Sequence, residues 1–502
     1  MTWYRLRMIR KQSILIASLA LVAALAHAQT APELAHSYTQ PRHDELLARF
    51  EELLSIPNVA LDPAGLHRNA EFLLAQLRSR GVESALLSAP GLPEKTPPVV
   101  YGELKVPGAT HTIVFYAHYD GQPVNPADWK TPPFTPTLGK VAGEPAIYAR
   151  SAGDDKAAIF AQLTALNALQ TAHYPLKANL RFIWEGEEEA GSAHLEQILD
   201  AHRTQIGGDI WLVCDGPVDQ SRAQTILFGA RGDVHVQLTV YGPNRPLHSG
   251  LYGNWAPNPA MMLAQLIAGM KDSEGRVLIP HFYDGITPLG PVEQAALASA
   301  PANDAMLRKE LVLGRSMSGG VHLLTLLNQP SLEVTGINTG QTGVHSTNTI
   351  QSSAAATIDL RLVVGEHSRT QQNRVVEYIR SQGYYVTAAE PTVEELTTHP
   401  KVVRVVLDEG EDALRTPMDL PIAQKVIEAV RSAHPNVVLL PTSGGTVPLD
   451  AMERASGSRT ISIPIANHDD NQHAANENLR LQNLWDGIET MAALMAMDPA
   501  RR

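Results

Sequence analysis

Three short apolar runs dominate the first half of the chain, "HTIVFYAHYD", "NLRFIWEGE" and "DIWLVCDG", and the helical segment "KAAIFAQLTALNALQTA" separates the first from the second. Runs of this length, rich in β-branched and aromatic residues, read as strands buried on both faces. Strand, helix and strand at this spacing imply an α/β fold class, a mainly parallel sheet with helices on both faces. "HDELLARFEELLSI" and "HRNAEFLLAQLRSRG" add two amphipathic helices, the second closed by Gly81. The pattern changes near Ala230. "DVHVQLTVYG" and "AATIDLRLVVG" alternate with period two, as antiparallel strands with one wet face do, and "RTQQNRVVEYIRSQGY" is a helix between strands. Residues 29–228 are therefore expected to form the first part of one domain and 229–414 an inserted α+β domain. The first domain resumes over 415–502, beginning in "MDLPIAQKVIEAVRSAH".

The N-terminus carries Arg5, Arg7, Arg10 and Lys11, then "SILIASLALVAALA", then Ala26-His27-Ala28. A basic stretch, an apolar stretch and a small-residue site are the marks of a secretory signal peptide over residues 1–28, cleaved after Ala28. The apolar stretch is shorter than the roughly 20 residues of a spanning helix. Export to the periplasm or beyond is thus expected, with no membrane attachment after cleavage. Losing four basic residues and no acidic one takes the formal charge from −12 to −16 (−12 minus 4), a balance that repels nucleic acid and anionic lipid. Cys214 is the single cysteine, so no intrachain disulfide can form, and stability must come from packing and metal.

In a parallel α/β sheet, ligands bind beyond the carboxyl ends of the strands. His118 and Asp120 stand at one such end, Asp154 just before a helix in "RSAGDDKAAIF", Glu188 and Glu189 after another strand, and Asp215 after a third. Singly, each has an ordinary explanation: a surface histidine, helix-start acids, a solvated acidic turn. Together in one crevice the carboxylates would repel one another unless cations neutralised them. Oxygen-rich ligation with imidazoles suits zinc, cobalt or manganese, and paired ions about 3.5–4 Å apart are a hydrolytic arrangement. "ANHDDNQHAANENL" offers His468 and His473 as further imidazoles.

In order, "HYD", "AGDDK", "EGEEEAGS", "CDG", "LHSG" and "HAANENL" resemble the dinuclear zinc exopeptidases and amidohydrolases, which include carnosinase-like dipeptidases, bacterial glutamate carboxypeptidases and aminoacylases. The motifs keep family order over nearly all of the mature chain. The resemblance implies a zinc-exopeptidase catalytic domain with an inserted lid or dimerisation domain, and two Zn²⁺ ions, for which Co²⁺ or Mn²⁺ are the alternatives. It makes His118, Asp154, Glu189, Asp215 and His473 the metal ligands, with Asp154 bridging and its bond to Asp155 cis. His473 is preferred to His468 because it opens the family's His-x-x-Asn-Glu pattern. Asp120 becomes the carboxylate that orients His118; residues two apart on a strand share a face, and a metal-bound imidazole commonly donates its other N–H to such an acceptor. Glu188 becomes the general base that takes a proton from the attacking water and returns it to the leaving amine.

The resemblance also implies substrate contacts from the inserted domain: His248 in "LHSG" as an oxyanion stabiliser reaching into a partner subunit, and Asn348 and Arg361 as holders of the substrate's terminal carboxylate. Thr446, in the glycine-rich "SGGTVP", lines the same pocket, where relatives often carry serine. If His248 and Arg361 must reach a neighbour's site, the working unit is a homodimer. The expected function is a metallopeptidase of dipeptidase or carboxypeptidase type acting on dipeptides or short peptides. The rivals are an N-acyl-amino-acid deacylase using the same metals and base, and a catalytically silent peptide-binding protein, which the presence of both base and ligands disfavours.

Overall fold

The structure is a computed structural model that describes residues 29–500; the leader expected over residues 1–28 lies outside the described residues. An eight-stranded sheet forms the larger unit, in the order Glu83–Leu87, Val99–Leu104, Asn179–Glu185, Thr112–His118, Ile210–Val213, Thr460–Ser462, Gln224–Leu227, Val437–Leu440. The four central strands, from Asn179–Glu185 to Thr460–Ser462, are mutually parallel. Both flanks bring in antiparallel neighbours, at Val99–Leu104 on one side and Gln224–Leu227 on the other. The apolar runs occupy the centre, as their continuous hydrophobicity requires: Ile210–Val213 is buried throughout and Thr112–His118 nearly so.

One face of the sheet packs against the helices His43–Leu54, Pro63–Arg78, Lys156–Thr171, Pro421–Ala433 and Leu481–Met495, and the other against Leu195–Ala201 and Leu449–Ser456. Lys156–Thr171 is apolar nearly all round because it is sandwiched: almost every residue is buried. Its first residue, Lys156, is itself enclosed, and Nζ donates to the Leu53 and Ile56 carbonyls at 3.0 and 2.8 Å. That anchors the start of this helix on its neighbour. Asp62 caps Pro63–Arg78, Oδ1 accepting from the Gly65 amide at 2.9 Å.

The second unit is a five-stranded sheet ordered Ser331–Asn338, Ser353–Leu362, Gly232–Tyr241, Val402–Leu407, Tyr385–Thr387. Gly232–Tyr241 alternates strictly between buried and half-buried, so one face meets a separate core with Pro259–Ala268 and Ser368–Ser381. The chain leaves and re-enters the first unit side by side: Gly229–Ala230 pairs antiparallel with Leu414–Arg415. A side chain at residue 229 would collide with the Leu414 carbonyl, so the close pairing depends on glycine. A three-stranded patch, Thr137–Val141, Glu144–Tyr148 and Asn478–Arg480, carries no strong sequence pattern; its strands are short, the first two partly exposed and the third buried but mostly polar. Among the described residues no helix is long and apolar enough to cross a membrane.

Candidate metal centre and substrate pocket

Because the central strands are parallel, their carboxyl ends share one edge of the sheet, and the candidate residues converge there. His118 is the last residue of its strand, Glu188 and Glu189 open a one-turn helix after Asn179–Glu185, and Asp215 follows Ile210–Val213. Asp154 precedes the buried helix, and His473 descends from the loop before Asn478–Arg480. Gly186 lets this edge close, since any side chain there would run into the Tyr119 ring.

Two donor groups result, each with its ligand atoms within 4.8 Å of one another: His118, Glu188 and Asp215; and Asp154, Glu189 and His473. Asp154 joins them. Its Oδ1 lies 2.9 Å from His118 Nε2 and its Oδ2 3.2 Å from His473 Nε2, while His473 Nε2 is also 3.2 Å from Glu189 Oε2. The Asp154–Asp155 peptide bond is cis. His468 lines the same pocket but joins neither group.

The electrostatics are those of a crowded anionic site. Burial, reinforced by Asp215, Asp154 and Glu189 and opposed by His118, pushes Glu188 well above the usual carboxylate range. Burial and then Asp154 push Asp215 up to about 7. Asp154 goes the other way: burial works against it, but hydrogen bonds with His118 and His473 hold it below the usual range. Hydrogen bonds with Asp154 and Glu189 raise His473 to about 10. Four carboxylates and two imidazoles, mostly buried and balanced chiefly against each other, form a donor set that fits two divalent cations. A bare site must hold protons to reduce its repulsion; cations would do so with full charge.

Asp120 does more than stand beside His118. Its Oδ1 is 3.4 Å from His118 Nδ1, and its two oxygens accept from the Glu188 and Glu189 amides at 3.2 and 3.0 Å. One buried carboxylate thus sets the positions of both glutamates. His118 Nδ1 has no hydrogen-bond partner, and Asp120 is the acceptor beside it.

Several residues that secure the centre were not singled out by sequence. Gln122 donates to Glu189 Oε2 and Gln472 to Asp154 Oδ2, both at 2.7 Å. Asp155 Oδ2 accepts from the His118 amide at 3.2 Å. Glu477, fully buried, accepts from Arg150 Nη1 and the Ser151 amide at 2.8 Å and from the Gly153 and Asp154 amides at 3.0 Å. The signal for Glu477 was present, as the last letter of the His-x-x-Asn-Glu pattern that selected His473.

A pocket of about 660 Å³ opens over the centre, lined by Asp154, Glu188, Asp215 and His473 and, from beyond the catalytic sheet, by Arg361 and Thr446. Arg361 therefore lines the pocket over the centre of its own chain, with no crossing to a neighbour required: its strand, Ser353–Leu362, ends beside the junction of the two units. Arg361 Nη1 donates to Thr446 Oγ1 at 3.1 Å, and that hydroxyl donates to the Arg231 carbonyl at 2.9 Å. Arg361 also pairs with Asp359 (Nε, 3.2 Å) and Asp233 (Nη1, 3.6 Å). A third cluster, Asp233, His235 and Asp359, is thereby already supplied with a cation by Arg361. His248 and Asn348 are not among the residues lining this pocket. His248 is exposed, its Nδ1 accepting from the Gly250 amide at 3.0 Å, and its short strand pairs with Thr349–Ile350.

Two carboxylate–imidazole groups sharing an aspartate at the carboxyl edge of an α/β sheet, with a glutamate beside them, have the architecture of a dinuclear metallohydrolase. The chain belongs to peptidase family M20/M25/M40, whose family model matches residues 114–497. Its relatives include a Cys-Gly metallodipeptidase of Candida albicans, 24% identical over 90% of this chain and 94% of the relative. The human Beta-Ala-His dipeptidase is 25% identical over 91% of this chain and 90% of its own. Among solved structures, an M20 family metallo-carboxypeptidase from Sulfolobus solfataricus superposes with a TM-score of 0.77 at 26% identity, covering 91% of this chain and all of the other. Human carnosine dipeptidase 1 shares the fold at a TM-score of 0.73 and 23% identity, over 93% of this chain and 99% of its own.

Replacing Glu477 with alanine leaves Arg150 buried without its counter-ion and three amides unpaired. A loss of about 3–5 kcal/mol is expected, read as a lower urea midpoint.

Proposed function

We propose that this chain is a zinc-dependent dipeptidase, using Glu188 as general base and Arg361 to grip the free carboxylate of its substrate. The observation that carries the reading is the meeting of both donor groups, Glu188 and Arg361 in one pocket. His118, Asp154, Glu189, Asp215 and His473 are the residues suited to hold the two ions. When bound, such ions would polarise a carbonyl and lower the pKa of a bound water.

The chain's own groups supply the rest. Glu188 accepts the proton of the attacking water on a carboxylate oxygen and delivers it to the nitrogen of the leaving amine. Asp120 keeps that oxygen in place through the Glu188 amide. Arg361 has Nε and Nη1 engaged, and Nη2 makes no hydrogen bond among the described residues, which leaves a donor for a substrate carboxylate. Thr446 orients the guanidinium and acts on substrate through it.

The proposal extends to a homodimer and to export. His248 stands on an exposed surface with Leu251 and Trp255, 77% and 79% exposed, a suitable face for a second copy. From there, with Asn348, it would complete the neighbour's site as an oxyanion donor. Export is supported by the basic and apolar pattern before Ala28 and by the net acidity of the remainder.

Glu188→Gln should keep two equivalents of metal by elemental analysis while kcat on dipeptides falls about 10²–10⁴-fold. Undiminished turnover would remove Glu188 as base, and faster cleavage of N-acetyl amino acids than of dipeptides would favour a deacylase. Mixing equal amounts of inactive His248→Ala and Glu188→Gln subunits should restore about a quarter of wild-type activity, because half the dimers then hold one intact site; no recovery would show that His248 does not serve a neighbour's site. N-terminal sequencing of the exported chain should begin at Gln29.

A further inference from the structure

The pocket has an apolar side that the chemistry above does not use. Leu323, Leu324 and Leu327 line it from the helix Leu323–Leu326 and the residue after it, and Leu227 and Leu440 line it from the sheet. Leu323 is 41% exposed, so its side chain is open to an occupant of the pocket. Leu324 packs on the small core of Leu227, Val438 and Leu440. Leu327 lies over the glycine-rich loop: its Cδ2 stands 3.2 Å from where a Cβ on Gly444 would be, two residues before the Thr446 that bonds Arg361. The leucines and Arg361 thus line one pocket, with Leu327 against the loop that carries Thr446.

This apolar side is held in place by a polar chain. Leu323 N donates to Asp304 Oδ1 at 2.9 Å, and His322 Nδ1 lies 2.8 Å from Asp304 Oδ2. The preceding Asn303 donates to Asp219 Oδ1 and Gln220 Oε1, each at 3.1 Å, and Asp219 itself lines the pocket. The short helix is thus tied to the loop after the catalytic strands. Several polar groups nearest the leucines are engaged: Asp219 also accepts from the Ser221 amide, and the hydroxyls of Thr225, Thr442 and Ser443 donate to backbone carbonyls. The protons of these three hydroxyls are thus spent within the protein.

We infer that the pocket selects substrates whose C-terminal residue is large and apolar, its carboxylate on Arg361 and its side chain on Leu323, Leu324 and Leu327. This rests on the dipeptidase reading and adds the substrate class to it. Leaving the leucine wall empty forfeits the burial of a whole side chain, so discrimination of about tenfold to hundredfold follows.

The test measures kcat/KM of the metal-loaded protein on Ala-Leu, Ala-Phe, Ala-Gly and Ala-Lys. Ala-Leu and Ala-Phe should exceed Ala-Gly by that factor, and the ratio should fall toward one in Leu324→Asn and Leu327→Asn, with KM for Ala-Leu rising. Equal or faster cleavage of Ala-Gly or Ala-Lys by the wild-type protein overturns the inference and leaves the dipeptidase reading standing. No cleavage of any of the four by metal-replete protein overturns both.

Discussion

Two imidazoles meet on the carboxylate of Asp154, and the geometry of the centre follows from holding that carboxylate still. His118 arrives from the end of a buried strand and His473 from a loop more than three hundred residues later; they touch opposite oxygens of the same side chain. Neither could keep Asp154 in place alone. Glu477 does so from beneath, accepting from the backbone amides of Ser151, Gly153 and Asp154 and paired with Arg150. A buried carboxylate left with one donor would be costly, but four donors compensate its lost hydration.

The same economy recurs around Asp120. A single carboxylate beside His118 also receives the amides of Glu188 and Glu189, so a metal ligand and the base are located by one group. Adjacent glutamates point in different directions from one turn of helix, which is why one falls with His118 and Asp215 and the other with Asp154 and His473. The acids tolerate such density because the parallel strands that present them are fixed from both sides by large cores.

The inserted unit divides its contributions. Arg361 ends a central strand near the Gly229–Ala230 and Leu414–Arg415 ribbon, where the two units join, and so faces the catalytic edge of its own chain. His248 sits on a short strand of a different pairing and is exposed. Their motifs look equally informative in sequence. Their distance from the junction separates a residue that lines the pocket of its own chain from one that does not.

What the sequence determined by itself was whatever depends on local pattern. Continuous apolar runs announced the central parallel strands, strict alternation announced the sheet of the inserted unit, and ordered motifs named His118, Asp154, Glu188, Glu189, Asp215 and His473. The short patch formed by Thr137–Val141, Glu144–Tyr148 and Asn478–Arg480 was invisible, because strands of three to five residues carry too little periodicity. Tertiary structure alone decided the pairings that no local window contains: Asp120 on the Glu188 and Glu189 amides, Glu477 under Asp154, Arg361 in its own pocket, and a leucine wall beside it. Each joins residues tens to hundreds of positions apart, and a hydrogen bond or an apolar contact is specified by separation in space, which the order of residues along a chain does not encode until that chain has folded.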